Sequence, residues 1–87
     1  MLLKHCAMYV MFTKPDCKWC DQAETVLREH VGCYRTHSTE HPSFKAEYAA
    51  LVPHDRRRVP IIFYKHIYIG GYEDLMKKHF AHLAVDA

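Results

Sequence analysis

An α/β fold with the element order βαβαββα is predicted by three features of this 87-residue chain. An uncharged apolar run, Ala7 to Phe12, stands directly before an amphipathic stretch. Two further apolar runs, Ile61 to Tyr64 and Ile67 to Ile69, lie two residues apart. After the double glycine Gly70-Gly71 an amphipathic pattern returns. The length suits one small domain, residues 1–87, and not two.

The first run is rich in Val, Met, Tyr and Phe, which predicts a strand buried on both faces, as a central parallel strand is. Pro15 prevents its continuation. From Cys17 to His30 the period is helical. Cys20, Ala23, Val26 and Leu27 share one face, and Asp21, Glu24, Thr25, Arg28 and Glu29 take the other. Asp16 is the expected N-cap, and Gly32 the stop. Cys33 to His37 alternates weakly and reads as a second strand. Ser38 to Pro42 reads as loop, and Phe44 to Val52 as a second helix with Phe44, Tyr48, Ala49 and Val52 on one face. Pro53 to Arg58 is a polar connection. The runs from Ile61 and Ile67 predict a hairpin, although Lys65-His66 lacks the Asn-Gly or Gly of tight hairpins. Glu73 to Leu83 closes the chain as a helix with Leu75, Met76, Phe80 and Leu83 apolar. Tyr9, Phe12, Phe63 and Phe80 are expected in the core.

Composition narrows the class. Apolar residues make up 49% and charged residues 25% of the chain, as in an ordinary soluble globular protein. The net charge of +2 is too small to argue for nucleic acid. Basic residues gather at Arg56-Arg57-Arg58, a patch suited to a small anionic substrate, and at Lys77-Lys78, read as a solvated face. The longest uncharged apolar stretch, Cys6 to Phe12, is far below the roughly 20 residues that span a bilayer. The amino terminus carries neither a signal-peptide hydrophobic region nor a cleavage site. A cytoplasmic protein without membrane attachment is expected, with its cysteines as thiols or a catalytic pair rather than a structural framework.

The pair Cys17 and Cys20 carries the chemistry. A C-x-x-C at a strand-to-helix junction inside a βαβ pattern reads as a thioredoxin-like redox site. At a helix N-terminus the unpaired backbone N–H groups and the macrodipole favour negative charge. Lys14 and Lys18 act in the same direction. The Cys17 thiol is therefore expected below the ordinary value of ~8.5. Cys20, one turn further on the apolar face, is expected to be sheltered and less ionised. Cys17 then attacks a disulfide, and Cys20 attacks back to release the product. A zinc site would need a second ligand pair at defined spacing. Cys6 and Cys33 stand alone, and His37 and His41 lie in no ribbon-like turn, so the pair is read as redox-active and no metal is expected. Cys6 and Cys33 are read as small apolar residues of strands. His79 and His82 are read as surface or partly buried groups.

Three motifs in order, Lys14-x-x-Cys17-x-x-Cys20, Val59-Pro60 and Gly70-Gly71-Tyr72-Glu73-Asp74-Leu75, make the chain resemble a glutaredoxin over almost its whole length. The resemblance implies a thioredoxin-like fold: a four-stranded mixed sheet flanked by three helices. It implies a cis Pro60 beside the Cys17 sulfur, with the Val59 backbone pairing with an extended substrate. It implies glutathione as co-substrate, with no tightly bound cofactor, and a groove formed by Lys14, Trp19, Val59, Gly71, Tyr72, Glu73 and Asp74. Lys14 and Arg57 suit the glycine carboxylate of glutathione. The helix start at Tyr72-Glu73 suits the γ-glutamyl carboxylate, and Glu73 or Asp74 its ammonium.

The chain departs from the family where Lys18-Trp19 replaces the common Pro-Tyr, where Arg58 precedes the Val-Pro in place of Thr, and where Tyr72 follows the double glycine in place of Cys. The resemblance implies a monomeric disulfide oxidoreductase that draws electrons from glutathione and acts on disulfide-bearing proteins, ribonucleotide reductase among the candidates. Two rivals stand beside it. One is a glutaredoxin-like hydrogen donor to ribonucleotide reductase recharged by thioredoxin reductase, whose family shares Thr-Lys-Pro-x-Cys but has no glutathione groove. The other is a dimer holding an iron–sulfur cluster through Cys17 and glutathione, which the intact Cys20 and long Trp19 disfavour.

Overall fold

The computed structural model of the chain describes residues 9–81. Strand β1 (Tyr9–Thr13) is followed by helix α1 (Lys18–His30) and strand β2 (Arg35–Ser38). A π-helical turn (Phe44–Tyr48) and two 3₁₀ turns (Ala49–Leu51, His54–Arg56) lead to the hairpin β3 (Ile61–Tyr64) and β4 (Ile67–Gly70). Helix α2 (Tyr72–His79) follows at once. The sheet order is β2-β1-β3-β4, with β1 parallel to β2 and antiparallel to β3, and β3 antiparallel to β4. This is the mixed four-stranded sheet with three helical segments that the motifs imply.

The alternation of β1 builds two cores. Tyr9 and Met11 point to one face, where they meet Ala23 and Leu27 of α1, Leu75 of α2 and Phe80. Val10 and Phe12 point to the other, where Phe44, Tyr48 and Val52 pack with Ile61 and Phe63. Both faces of β1 are thus covered, which is why its sequence is apolar throughout instead of alternating with polar residues. The second core is aromatic: Phe12 lies 4.9 Å from Phe44 and 5.4 Å from Tyr48 between ring centroids, and Tyr48 lies 4.1 Å from Phe63. Such pairs add about 0.5–1.5 kcal/mol each beyond the area they bury.

Several boundaries differ from the sequence expectation. Strand β1 runs to Thr13, and Ala7 and Met8, placed in it by composition, lie outside the described residues. Asp16 does not cap α1. It takes a left-handed φ of 58° in the turn after Pro15, and Cys17 is the N-cap, with extended backbone and its own sulfur accepting from the Cys20 N–H at 3.1 Å. Strand β2 starts two residues later than expected, because Cys33 and Tyr34 belong to the connection, Tyr34 reaching back to hydrogen-bond Glu24 of α1 at 2.9 Å.

The expected helix from Phe44 to Val52 is instead one wide turn followed by one tight turn. The wide turn is closed by the Ala49 N–H donating to the Phe44 carbonyl. It seats both Phe44 and Tyr48 against Phe12 while leaving Val52 extended before Pro53. Residues 54–56, read as plain connection, form a 3₁₀ turn. The last helix begins one residue early at Tyr72 and ends at His79, with Phe80 as its C-cap. Leu83, assigned to it by pattern, lies outside the described residues. Lys78, expected on a solvated face, donates to the Ile69 carbonyl of β4 at 3.0 Å.

Candidate active site

The site forms where the ends of three elements meet: the start of α1, the bond before β3 and the start of α2. Cys17 holds the first position because the turn at Lys14–Asp16 ends β1 and presents residue 17 at the helix mouth. Its sulfur is half-exposed and lies 4.0 Å from the Val59 carbonyl oxygen. Cys20 is 4% exposed, on the same helix face as Ala23 and Leu27. The two sulfurs are joined in a disulfide across 5.2 Å between their Cα atoms. One sulfur is open to a substrate and the other is sheltered, the asymmetry that gives a dithiol site two distinct roles.

The Val59–Pro60 bond is cis. Pro60 is buried, and its carbonyl lies 3.5 Å from where a Cβ on Gly71 would stand, an ordinary contact distance that brings the start of β3 beside the start of α2. Gly70 has a φ of +132°, and an added Cβ would fall 2.7 Å from the Asp74 carboxyl carbon. Both conditions require glycine at that position. The close approach lets the Asp74 carboxylate accept from the Gly71 N–H at 3.4 Å, near the free amides of the α2 start.

Two grooves flank the disulfide. The first, of about 280 Å³, is bounded by Trp19 and Tyr72, by Val59-Pro60, and by Gly71, Glu73 and Asp74. Trp19 is 53% exposed and stacks on Tyr72 with ring centroids 5.5 Å apart and 28° between planes. The second, of about 520 Å³, holds Cys17 with Lys14, Asp16 and Lys18 on one side and Arg57 on the other, over an apolar floor of Phe44 and Ile61. Trp19, Arg58 and Val59 belong to both.

The residues singled out by sequence therefore converge, but not all in the expected manner. Arg57, expected to meet a carboxylate, donates from Nε to the Val52 carbonyl at 3.1 Å and from a terminal nitrogen to the Ala49 carbonyl. Its Nε and one terminal nitrogen thus help to close the middle turns. The exposed cation common to both grooves is Arg58, which the sequence reading places in the basic patch and treats as a departure from a Thr, but does not assign to the groove. Its place directly before Val59 was the signal. Glu73 is exposed, whereas Asp74 is half-buried with its carboxylate turned to the Gly71 amide. Cys33, read as a small apolar thiol, is half-buried ahead of β2 and is itself disulfide-bonded. Its sulfur is thus committed to a covalent bond. Cys6 and His82 lie outside the described residues.

Comparison with known proteins identifies the arrangement. No curated protein matches the sequence. The family model described as Glutaredoxin matches residues 9–69. Among solved structures, a buckwheat glutaredoxin in complex with glutathione is similar at 25% identity and a TM-score of 0.68, covering 94% of this chain and 76% of that one. The holo form of glutaredoxin C1 from Populus tremula x tremuloides is similar at 21% identity and 0.67, with 94% and 83% covered. Oxidised glutaredoxin 2 from Chlamydomonas reinhardtii is similar at 19% identity and 0.62, with 94% and 82% covered. The last two speak to the fold alone. With a redox-active cysteine pair at the head of α1 in a thioredoxin-like sheet, and a family match over most of its length, this chain belongs to the glutaredoxin family and is a thiol-disulfide oxidoreductase.

Proposed function

We propose that the protein is a glutathione-dependent dithiol glutaredoxin, reducing both protein disulfides and glutathione mixed disulfides. The observation that carries this reading is the position of Cys17: half-exposed, capping α1, its sulfur accepting from the Cys20 N–H at 3.1 Å. A donor already aimed at that sulfur stabilises the thiolate over the thiol. The similarity to a buckwheat glutaredoxin that binds glutathione supports glutathione as the co-substrate.

In deglutathionylation the Cys17 thiolate attacks the glutathione sulfur of a mixed disulfide, and the protein thiolate leaves and takes a proton. A second glutathione thiolate then attacks the Cys17 sulfur, releasing glutathione disulfide and restoring the thiolate. With a protein disulfide, Cys17 forms a mixed disulfide with one substrate sulfur. Cys20 then attacks the Cys17 sulfur, yielding the Cys17–Cys20 disulfide and two substrate thiols. Two glutathiones return the pair to the reduced state.

The substrate backbone lies along Val59. The γ-glutamyl end sits in the first groove, over the N–H groups of the α2 start, and the glycine carboxylate faces Lys14 and Arg58 in the second. Trp19 and Tyr72 wall the first groove, and Glu73 meets the ammonium. Arg57 contributes charge to this site while its Nε and one terminal nitrogen bond the chain.

Single substitutions test the roles. Cys17→Ser is expected to abolish both activities, and Cys20→Ser to retain turnover of a glutathionylated peptide while losing reduction of a protein disulfide. Deglutathionylation surviving in Cys17→Ser overturns the assignment of the attacking sulfur. Turnover supported by thioredoxin reductase and not by glutathione with glutathione reductase overturns the glutathione dependence.

A further inference from the structure

The second groove carries more positive charge than glutathione neutralises. Lys14, Lys18, Arg57 and Arg58 bound it, against the single carboxylate of Asp16. Four cations and one anion leave a net charge of three, and the glycine carboxylate of glutathione offsets one. Lys18, immediately beyond the reactive sulfur in the chain, is exposed, with its ammonium 6.0 Å from the centre of the Trp19 ring. The remaining acids of the grooves, Glu73 and Asp74, lie in the first groove and not the second. Three of the four cations, Lys14, Lys18 and Arg57, border the second groove and not the first, in a space of about 520 Å³ floored by the buried Phe44 and Ile61. That volume and apolar floor suit side chains flanking a cysteine.

We infer that the protein selects disulfides whose cysteines are flanked by acidic residues, the second groove holding the acidic peptide segment beside the bond under attack. This rests on Cys17 as the attacking sulfur. A groove lined by one sign of charge raises the encounter rate of an oppositely charged partner, and the gain shrinks as salt screens it.

The selectivity is testable without glutathione. The protein, reduced beforehand and freed of reductant, is mixed with short peptides that each contain one internal disulfide, its cysteines flanked by Glu, by Gln or by Lys. The Cys17 thiolate attacks one peptide sulfur, the other peptide sulfur leaves as a thiolate and takes a proton, and Cys20 then expels the first. Two peptide thiols form as the Cys17–Cys20 disulfide is made.

The single-turnover rate constants are expected to fall in the order Glu, Gln, Lys, by about tenfold between the extremes at ~10 mM ionic strength. The spread is expected to contract to within about twofold near ~0.5 M, where the screening length is only a few ångströms. The Lys18→Glu and Arg58→Glu double variant is expected to compress or invert the order. The ratio between peptides is the readout, because altered ionisation of Cys17 moves all three rates together. Equal rates for the three peptides, an order indifferent to salt, or an unchanged order in the double variant each overturn the acidic preference alone. Reduction of none of the peptides overturns the exchange chemistry of Cys17 and this inference with it.

Discussion

At Arg57 one side chain serves two competing ends. It has the charge and the position to meet a carboxylate, yet its Nε and one terminal nitrogen already donate to the carbonyls of Val52 and Ala49. Hydrogen bonds from a charged donor contribute about 1.5–3 kcal/mol each when sheltered, and Arg57 is only half-buried. Arg57→Ala is therefore expected to lower stability by about 1–2 kcal/mol, read from the denaturant midpoint. Arg57→Lys is expected to recover little, since an ammonium cannot span two carbonyls as a planar fork does. Unchanged stability together with a weakened glutathione interaction would make Arg57 a binding residue and not a strut. From sequence alone Arg56, Arg57 and Arg58 were indistinguishable, because what separates them is which carbonyls the turns before them leave open. The cysteine pair, by contrast, was legible in its placement, since helix position leaves Cys17 half-exposed at the head of α1 and buries Cys20 one turn on.

Among the elements, strands β1, β3 and β4 and helix α1 were readable because apolar period and β-branched content act locally. The middle segment was not. Its apolar positions at 44, 48 and 52 fit a regular helix, but packing of Phe44 and Tyr48 on Phe12 and the approach of Pro53 select a wide turn and then a tight one. The hairpin turn is a case of tertiary structure overriding local preference. Lys65 and His66 both have left-handed backbone, with φ of 52° and 67°, in positions that favour Asn and Gly. His66 is compensated by a hydrogen bond between its Nδ1 and the Tyr48 hydroxyl at 3.1 Å, and Lys65 by an ammonium 5.4 Å from the Tyr64 ring. Lys65→Asn is expected to stabilise by roughly 0.5–1 kcal/mol, because a non-glycine residue pays ~1–2 kcal/mol there and Asn less. In a domain of this size that raises Tm by several degrees, at about 4–8 °C per kcal/mol. A fall in Tm would mean that the Tyr64 contact outweighs the backbone cost. His66→Gly is expected to be nearly neutral, relief of the backbone being offset by loss of the Tyr48 bond.

For the whole molecule, pH acts through two half-buried histidines, His37 within β2 and His79 at the end of α2. Burial holds His79 below the usual value of 6.5, and Lys78 pushes it further in the same direction. Its Nδ1 lies 2.8 Å from the Tyr9 hydroxyl, a bond that the neutral ring can accept. Burial, His41 and Arg35 lower His37 likewise. A histidine depressed in the folded state takes its proton more readily when unfolded. The stability it contributes is complete above about 6.5 and is lost as pH falls towards the folded-state value. Tm is therefore expected to drop between pH 7.5 and pH 5.5, and His79→Phe to flatten part of the slope; a Tm constant across that range would contradict the preference of these half-buried rings for the neutral state. At the same scale, sheet topology brings the head of α1, the Val59–Pro60 bond and the head of α2 to one end of the sheet. No local pattern in the sequence gives that convergence, which was legible only through the three motifs taken together. The proposed function makes its consequence a single reactive sulfur. In the reduced protein, alkylation by iodoacetamide followed against pH, with each cysteine located by mass spectrometry, tests that consequence most directly. Cys17 is expected to react alone, with a midpoint below the ~8.5 of an ordinary thiol, while Cys20 stays inert. Equal modification of Cys17 and Cys20, or a Cys17 midpoint at or above that value, would contradict it.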